Sequence, residues 1–250
     1  GAGGVLYLTP LLFNELGFSA SQIGSGITIA AILGTVSRLI TGIFLDKGIN
    51  FSKPIKIAAL FAVFADILLL NAHSYKIFLQ GQFLLGTAAG IYWPSAELAV
   101  PINCEEYPSS KGFALVRTAD ALGISLGSII GTIASWISSI RIIYLVDIFC
   151  MLMLIIVLSH KTLKDQSKGQ LKRIDESDKQ KHYVSKVSEN KKWIYSLFPI
   201  LLISLFATSI LSLLQSGLPL DLIRGGINRP PLNQTTSGLI LAVQLGLLLI

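Results

Sequence analysis

Gly42-Ile-Phe-Leu-Asp46-Lys47-Gly48, followed by Lys53, Pro54 and Lys56, joins two long apolar stretches and governs the reading of the whole chain. It places a carboxylate, glycines and several cations in a tight loop between hydrophobic runs. That arrangement suits a switch at a membrane surface better than an enzyme pocket. Gly48 provides the turn conformation that other residues resist. Gly42 permits a neighbouring helix to approach closely, and Asp46 is placed to accept hydrogen bonds from a helix N-terminus.

Composition points the same way. The 250 residues are 52% hydrophobic and 14% charged, with a mean hydropathy of +0.67, too apolar for an ordinary soluble domain. An all-α polytopic membrane protein is expected. The net charge of +6 does not indicate a nucleic-acid partner, because ten of the twenty Lys and Arg lie between Lys161 and Lys192. Such concentration fits orientation in a membrane, with lipid headgroups as neighbours. Cys104 and Cys150 have no metal-ligand spacing and suggest no disulfide. There is no Walker loop, no His-Glu-x-x-His and no nucleophile elbow, and His73, His160 and His182 share no spacing. Neither an enzyme nor a cofactor or metal is expected.

A membrane helix needs about 20 apolar residues. Runs near that length end near Phe13 and cover about 22–45, 55–71, 75–100, 112–137, 142–159 and 193–218, with an eighth from Thr236 still apolar at Ile250. Uninterrupted runs of this length exclude alternating barrel strands. The chain begins and ends inside hydrophobic sequence, so it is expected to be truncated at both ends. If the first run leaves the cytoplasm, the inward loops hold fifteen cations, with Lys111 and Arg117 among them, and the outward loops four. This is a clear positive-inside bias in a cell (plasma or inner) membrane. The expected organisation is a six-helix bundle over 1–159, a basic cytoplasmic linker over 160–192, and the first two helices of a second bundle over 193–250.

Six spans, a long basic linker and further spans resemble the layout of the major facilitator superfamily of secondary transporters. The loop from Gly42 to Lys56 resembles that family's signature between helices 2 and 3. Gly42, Asp46 and Lys47 match it directly, Gly48 comes one place early, and the later cations are displaced to Lys53 and Lys56. The resemblance implies that these six residues latch the two halves of the carrier together. A loop that merely obeys the charge rule is the alternative. The fourth run, from Gln82 through Gly86, Gly90 and Trp93 to Glu97, is similar to the family's helix 4, with Gln82 where an arginine is usual. Gly86, Gly90, Trp93 and Glu97 share one helical face, suited to a cavity wall or to close packing. Gly123, Gly127 and Gly131 are similar to a helix 5 motif of antiporters, but Ser128 replaces the expected proline and Thr132 the second glycine, which favours packing.

Charges inside spans are costly and are usually paired or functional. Arg38, Asp66, Glu97, Asp120 and Asp147 are of this kind. Asp66 or Asp120 is expected as the counter-charge of Arg38, and Arg38, Asp66, Glu97 and Asp120 are the candidates for ion coupling or a structural charge pair. Ser204, Thr208, Ser212 and Gln215 form a polar stripe in the seventh run. The resemblance places that helix on the central cavity, so these residues, with Gln82, Trp93 and Gln244, are the candidate substrate cavity, although Ser and Thr also bond back to their own helix. Asn233-Gln234-Thr235 matches a glycosylation pattern, as chance allows.

The expected function is secondary transport of a small solute by alternating access, driven by protons or another coupling ion, with efflux favoured. A non-transporting receptor with about seven spans is the rival. An intramembrane enzyme would need a convergent set of catalytic residues, which is absent from this sequence.

Overall fold

A computed structural model describes residues 2–104, 108–137, 139–161 and 163, and shorter pieces at 198–199, 202–203, 206, 221–225, 229–233, 236 and 240. Two units make up the chain: Gly1–Asp165 with Leu218–Ile250, and Gln166–Gly217. In the second unit only 198–199, 202–203 and 206 are described, all helical. Among its described residues the first unit carries six long helices: α1 Ala2–Glu15, α2 Ala20–Asp46, α3 Ser52–Leu70, α4 Tyr75–Asn103, α5 Ser109–Trp136 and α6 Ile142–His160. These are the first six apolar runs of the sequence, each within a few residues of its expected limits.

Local chemistry sets the helix ends. α2 begins with a capping box in which Ser19 Oγ accepts from the Gln22 amide at 3.2 Å and Gln22 Oε1 accepts from the Ser19 amide at 3.0 Å. After Asp46 the chain turns through Gly48 at φ 81°, a left-handed conformation that costs glycine little. α3 then begins with its Ser52 amide held at 2.8 Å by Asn50 Oδ1. Asp46, expected to receive a helix N-terminus, is exposed and has no such bond among the described residues. The Asn50 side chain takes that place because it sits two residues before Ser52, a spacing at which a side-chain oxygen meets a first-turn amide.

Small residues draw α2 and α4 together. A Cβ added to Gly86 would overlap the Ala30 carbonyl oxygen and lie 2.6 Å from the Ala30 Cα. One added to Gly90 would collide with the Gly34 carbonyl and lie 2.7 Å from Ser37 Cβ. Backbone therefore touches backbone, the packing that replaces the hydrophobic effect when the solvent is lipid. α3 lies on the other side of α4, with Leu69 filling the space over Gly81, and Leu8 of α1 fits against Gly131 of α5. At Gly42 and Gly123 an added Cβ would meet nothing within 4 Å. The close approaches expected there do not occur among the described residues, because both positions face away from the neighbouring helices. Gly127 is buried.

The largest core cluster lies at the end of the bundle remote from the Gly42–Lys56 loop. Phe13, Phe18 and Phe78 meet there, with Phe13 and Phe78 centroids 4.3 Å apart, beside the buried Leu11, Ile23 and Tyr144. Arg141, at the head of α6, donates to the carbonyls of Leu70 and Ala72, placing a cation on the C-terminal carbonyls of α3. A turn at 221–224 also reaches this end, where Arg224 donates to Asn14 Oδ1 at 2.7 Å. Large apolar side chains point outward: Leu39 is 67% exposed, Leu115 72% and Phe149 60%. By length and composition, α2, residues Ser109–Gly131 of α5, and α6 are each able to cross a membrane. An apolar exterior around a backbone-satisfied helical bundle is what hydrocarbon solvent requires.

The seam between α2 and α4 gives a direct test. Gly86→Val in the full-length protein is expected to lower the thermal unfolding midpoint in detergent, by the equivalent of about 1–3 kcal/mol of overpacking. Gly24→Ala, where an added Cβ meets nothing within 4 Å, is expected to leave the midpoint unchanged or raise it, because alanine is the better helix former.

Candidate functional site

Charged side chains gather where α4 and α5 run side by side. Glu97 lies on α4 one turn beyond Trp93, and Arg117 and Asp120 occupy one face of α5 at a spacing of three. Arg117 Nη2 donates to Glu97 Oε1 at 2.8 Å, and Nη1 stands 3.6 Å from Asp120 Oδ2. The same guanidinium lies 5.6 Å from the centroid of the Trp93 ring, within cation–π range. Tyr92 packs edge-on against Trp93, centroids 5.5 Å apart. The cluster is open: the Arg117 side chain is 62% exposed and that of Glu97 43%.

Arg117 was the residue left out of the expected site. It sits two turns inside α5, not in the loop between the fourth and fifth runs, and it takes the partner role expected of Arg38. Its signal was in the sequence: a cation three residues before Asp120 within an apolar helix. Arg38 is exposed on α2, and neither expected counter-charge reaches it. Asp120 belongs to Arg117, and Asp66 faces Asp147. Sequence distance within one helix was a poor guide to pairing between helices, since α2 packs on α4 while Asp66 lies on the face of α3 turned to α6.

Gln82, expected in an open cavity, is buried. A Cβ on Gly26 would lie 3.2 Å from its Cγ, so Gln82 belongs to the seam between α2 and α4. Gly86 and Gly90 belong to the same seam. Only the lower part of that helical face, Trp93 and Glu97, turns toward α5. Ser204, Thr208, Ser212, Gln215 and Gln244 lie outside the described residues.

The loop from Gly42 to Lys56 stands at the end where the chain continues from α6 toward the basic segment. Lys47 Nζ lies 5.7 Å from the Phe44 ring centroid, and Lys53 is exposed while Lys56 is partly covered. Leu45 and Phe51 pack with Ala99 beneath it, and Ser52 Oγ accepts from the Leu163 amide at 2.9 Å, tying the segment after α6 to the start of α3. Above that tie, Ile55, Tyr92, Ala99, Gly112, Leu154 and Leu163 are among the residues lining a largely apolar cavity of 410 Å³. Among the described residues no group of His, Cys, Asp or Glu is arranged to hold a metal ion.

Six packed apolar helices with a charged loop between the second and third, and a cation–carboxylate cluster on the fourth and fifth, define a bundle of the transporter-like multi-pass membrane class. The family model of the Major Facilitator Superfamily matches residues 1–249, and the chain belongs to that family. It is similar to the purine ribonucleoside efflux pump NepI of Shigella dysenteriae serotype 1 (strain Sd197), 28% identical over 158 residues, 60% of this chain and 39% of the relative. NepI of Escherichia coli (strain K12) is 27% identical over the same shares. NepI of Escherichia coli O6:K15:H31 (strain 536 / UPEC) is 30% identical over 139 residues, 53% of this chain and 34% of the relative. The matched part thus spans well under half the length of these relatives.

The cluster on α4 and α5 should behave as one electrostatic unit. Arg117→Met leaves two carboxylates facing each other without their cation, and it is expected to lower the unfolding midpoint more than the combined Arg117→Met/Glu97→Gln/Asp120→Asn variant does. A triple-variant loss equal to the sum of the three single-variant losses, measured by thermal unfolding of the full-length protein in lipid nanodiscs, would show that the three side chains act independently.

Proposed function

We propose that the protein containing this chain is a secondary transporter. It moves a small solute across a cell membrane by alternating access, driven by the gradient of a coupling ion and in the direction of efflux. The observation that carries this reading is the Glu97–Arg117–Asp120 cluster beside Trp93, open to its surroundings on helices whose other exposed side chains are largely apolar. Charges at membrane depth face water or protein, not lipid. That makes this strip of α4 and α5 a wet wall of a central path, and family membership supplies the setting for it.

The path needs an opposite wall, and the polar stripe Ser204, Thr208, Ser212 and Gln215, with Gln244, is assigned to it. Bundle 1–159, linker 160–192 and 193–250 as the opening of a second bundle follow as the organisation, with the linker on the cytoplasmic side. Because relatives are named purine ribonucleoside efflux pumps, purine nucleosides are the first solutes to test. Such a solute offers an aromatic face to Trp93 and hydroxyl donors to the carboxylates of Glu97 and Asp120. Arg38 stands ready for a charge on the second bundle. Gly42, Asp46, Lys47, Gly48, Lys53 and Lys56 form the latch at the linker end, where Asp46 accepts from the other half in one state of the cycle.

The test is flux of radiolabelled inosine by the full-length protein in proteoliposomes. A pH gradient is expected to drive accumulation well above that in protein-free liposomes, and Glu97→Gln to abolish it. Failure of inosine, adenosine and guanosine alike to move would remove the nucleoside assignment, and failure of a broad solute panel would remove the transporter reading. Asp46→Asn is expected to slow flux about tenfold or more, the consequence of losing a charged hydrogen bond of about 1.5–3 kcal/mol in one state. Unchanged flux would remove the latch.

A further inference from the structure

The apolar cavity at the linker end plays no part in the wet wall. Four helices have an end there, and Ile55 of α3, Ala96 and Val100 of α4, Leu115 of α5, and Leu154 and Leu158 of α6 line its 410 Å³. Few polar atoms reach it. Asn103 Nδ2 donates to the Ala99 carbonyl of its own helix. Cys104 is a free thiol against the start of α5, where a Cβ added to Gly112 would overlap its Sγ. One wall is open, because Leu115 lines the cavity and is still 72% exposed.

Cations stand around this space. Lys111 precedes Leu115 by one turn on the same face of α5, Lys161 caps α6 three residues after Leu158, and Lys56 follows Ile55 on α3. Lys111 and Lys161 are exposed and Lys56 is partly covered. None of the three has a carboxylate within ion-pair distance among the described residues. The described acids at this end are Asp46, exposed at the close of α2, and Glu97, bonded to Arg117. Glu105 and Glu106 follow Cys104 in the sequence and lie outside the described residues.

A carbon-lined space offers water too few hydrogen-bond partners to hold it, whereas a hydrocarbon chain enters from the bilayer through the open side at Leu115. Moving a chain from bilayer to cavity gains little, since both are apolar. Selection therefore falls to the head group. Lysines at a membrane rim attract an anionic phosphate, while the ammonium of a zwitterionic lipid brings a like charge toward them.

We propose that this cavity is a binding site for an anionic phospholipid of the leaflet on the linker side, with one acyl chain between α4, α5 and α6 and the phosphate on Lys111 and Lys161. The site requires a chain that spans a membrane and is independent of transport. Leu163, the first described residue beyond Lys161, lines the same cavity and is fixed by its amide to Ser52 Oγ at 2.9 Å. A lipid held there bridges the start of α5 and the beginning of the linker, and it covers the Cys104 thiol.

Alkylation of Cys104 by N-ethylmaleimide, read by mass spectrometry of the peptide that carries it, reports whether the cavity is filled. In the full-length protein in phosphatidylcholine nanodiscs the thiol is expected to react. Replacing part of that lipid with phosphatidylglycerol is expected to slow the reaction about tenfold or more, as two lysines beside an anionic head group imply. Equal wild-type rates in the two bilayers overturn the site, and this arm depends on no variant. Lys111→Gln/Lys161→Gln in the same two bilayers controls for surface charge and is expected to lose most of the difference; protection as large as the wild type's overturns the placement of the phosphate. Protection by oleate in phosphatidylcholine nanodiscs, with none by phosphatidylglycerol, assigns the cavity to a fatty acid and overturns the phospholipid.

Discussion

The contact of Gly86 with Ala30, backbone against backbone, is the constraint on which the arrangement of the described bundle depends. A side chain at Gly86 would have to occupy the space of a carbonyl, so α2 and α4 are held at a separation that only small residues permit. In water such a seam would be a weak device, because glycine buries little apolar area. In lipid, where burial against hydrocarbon gains nothing, close van der Waals approach is the main attraction left. The seam therefore has the same physical origin as the greasy exterior: both are responses to a solvent without hydrogen bonds.

Fixing α2 against one side of α4 decides what its other sides can do. Gly81 takes Leu69 of α3, and the remaining face, at Trp93 and Glu97, is left for α5. The charged cluster thus follows from the small-residue pattern higher on the same helix. Pro94, one residue beyond Trp93, removes one ladder hydrogen bond at the point where α4 passes from seam to cluster.

The sequence made the helices legible because their signal is simple. Long apolar runs and Gly48 as a turn are local features, and each element lies close to where they put it. Pairings between helices were not legible in the same way. Arg38 and Asp66 were natural partners by charge alone, yet which faces of α2 and α3 meet is set by Gly26, Gly34, Gly81, Gly86 and Gly90, whose effect emerges only when three helices are packed together. Gln82 shows the same limit: a polar residue in a span suggests a cavity, but its place in the helical turn puts it against Gly26. Arg117 was hidden by the charge count, which put it with the inward loop although the fifth run, from about 112, already contains it.

The bundle consequently holds carboxylates of two kinds, and their difference is informative. Glu97 and Asp120 share a guanidinium and stay open, so their charge is balanced by a fixed cation and can be rearranged by a solute or a facing helix at modest cost. Asp66 has another acid as its neighbour and is closed off from solvent, so the two sets differ in surroundings: one is open and shares a guanidinium, the other is enclosed where α3 packs on α6. The packing of α4 on α3 and of α5 on α6 is the physical contact between them, so a shift of either helix at the open cluster is felt at the enclosed acids through side-chain packing rather than through a chain of charges.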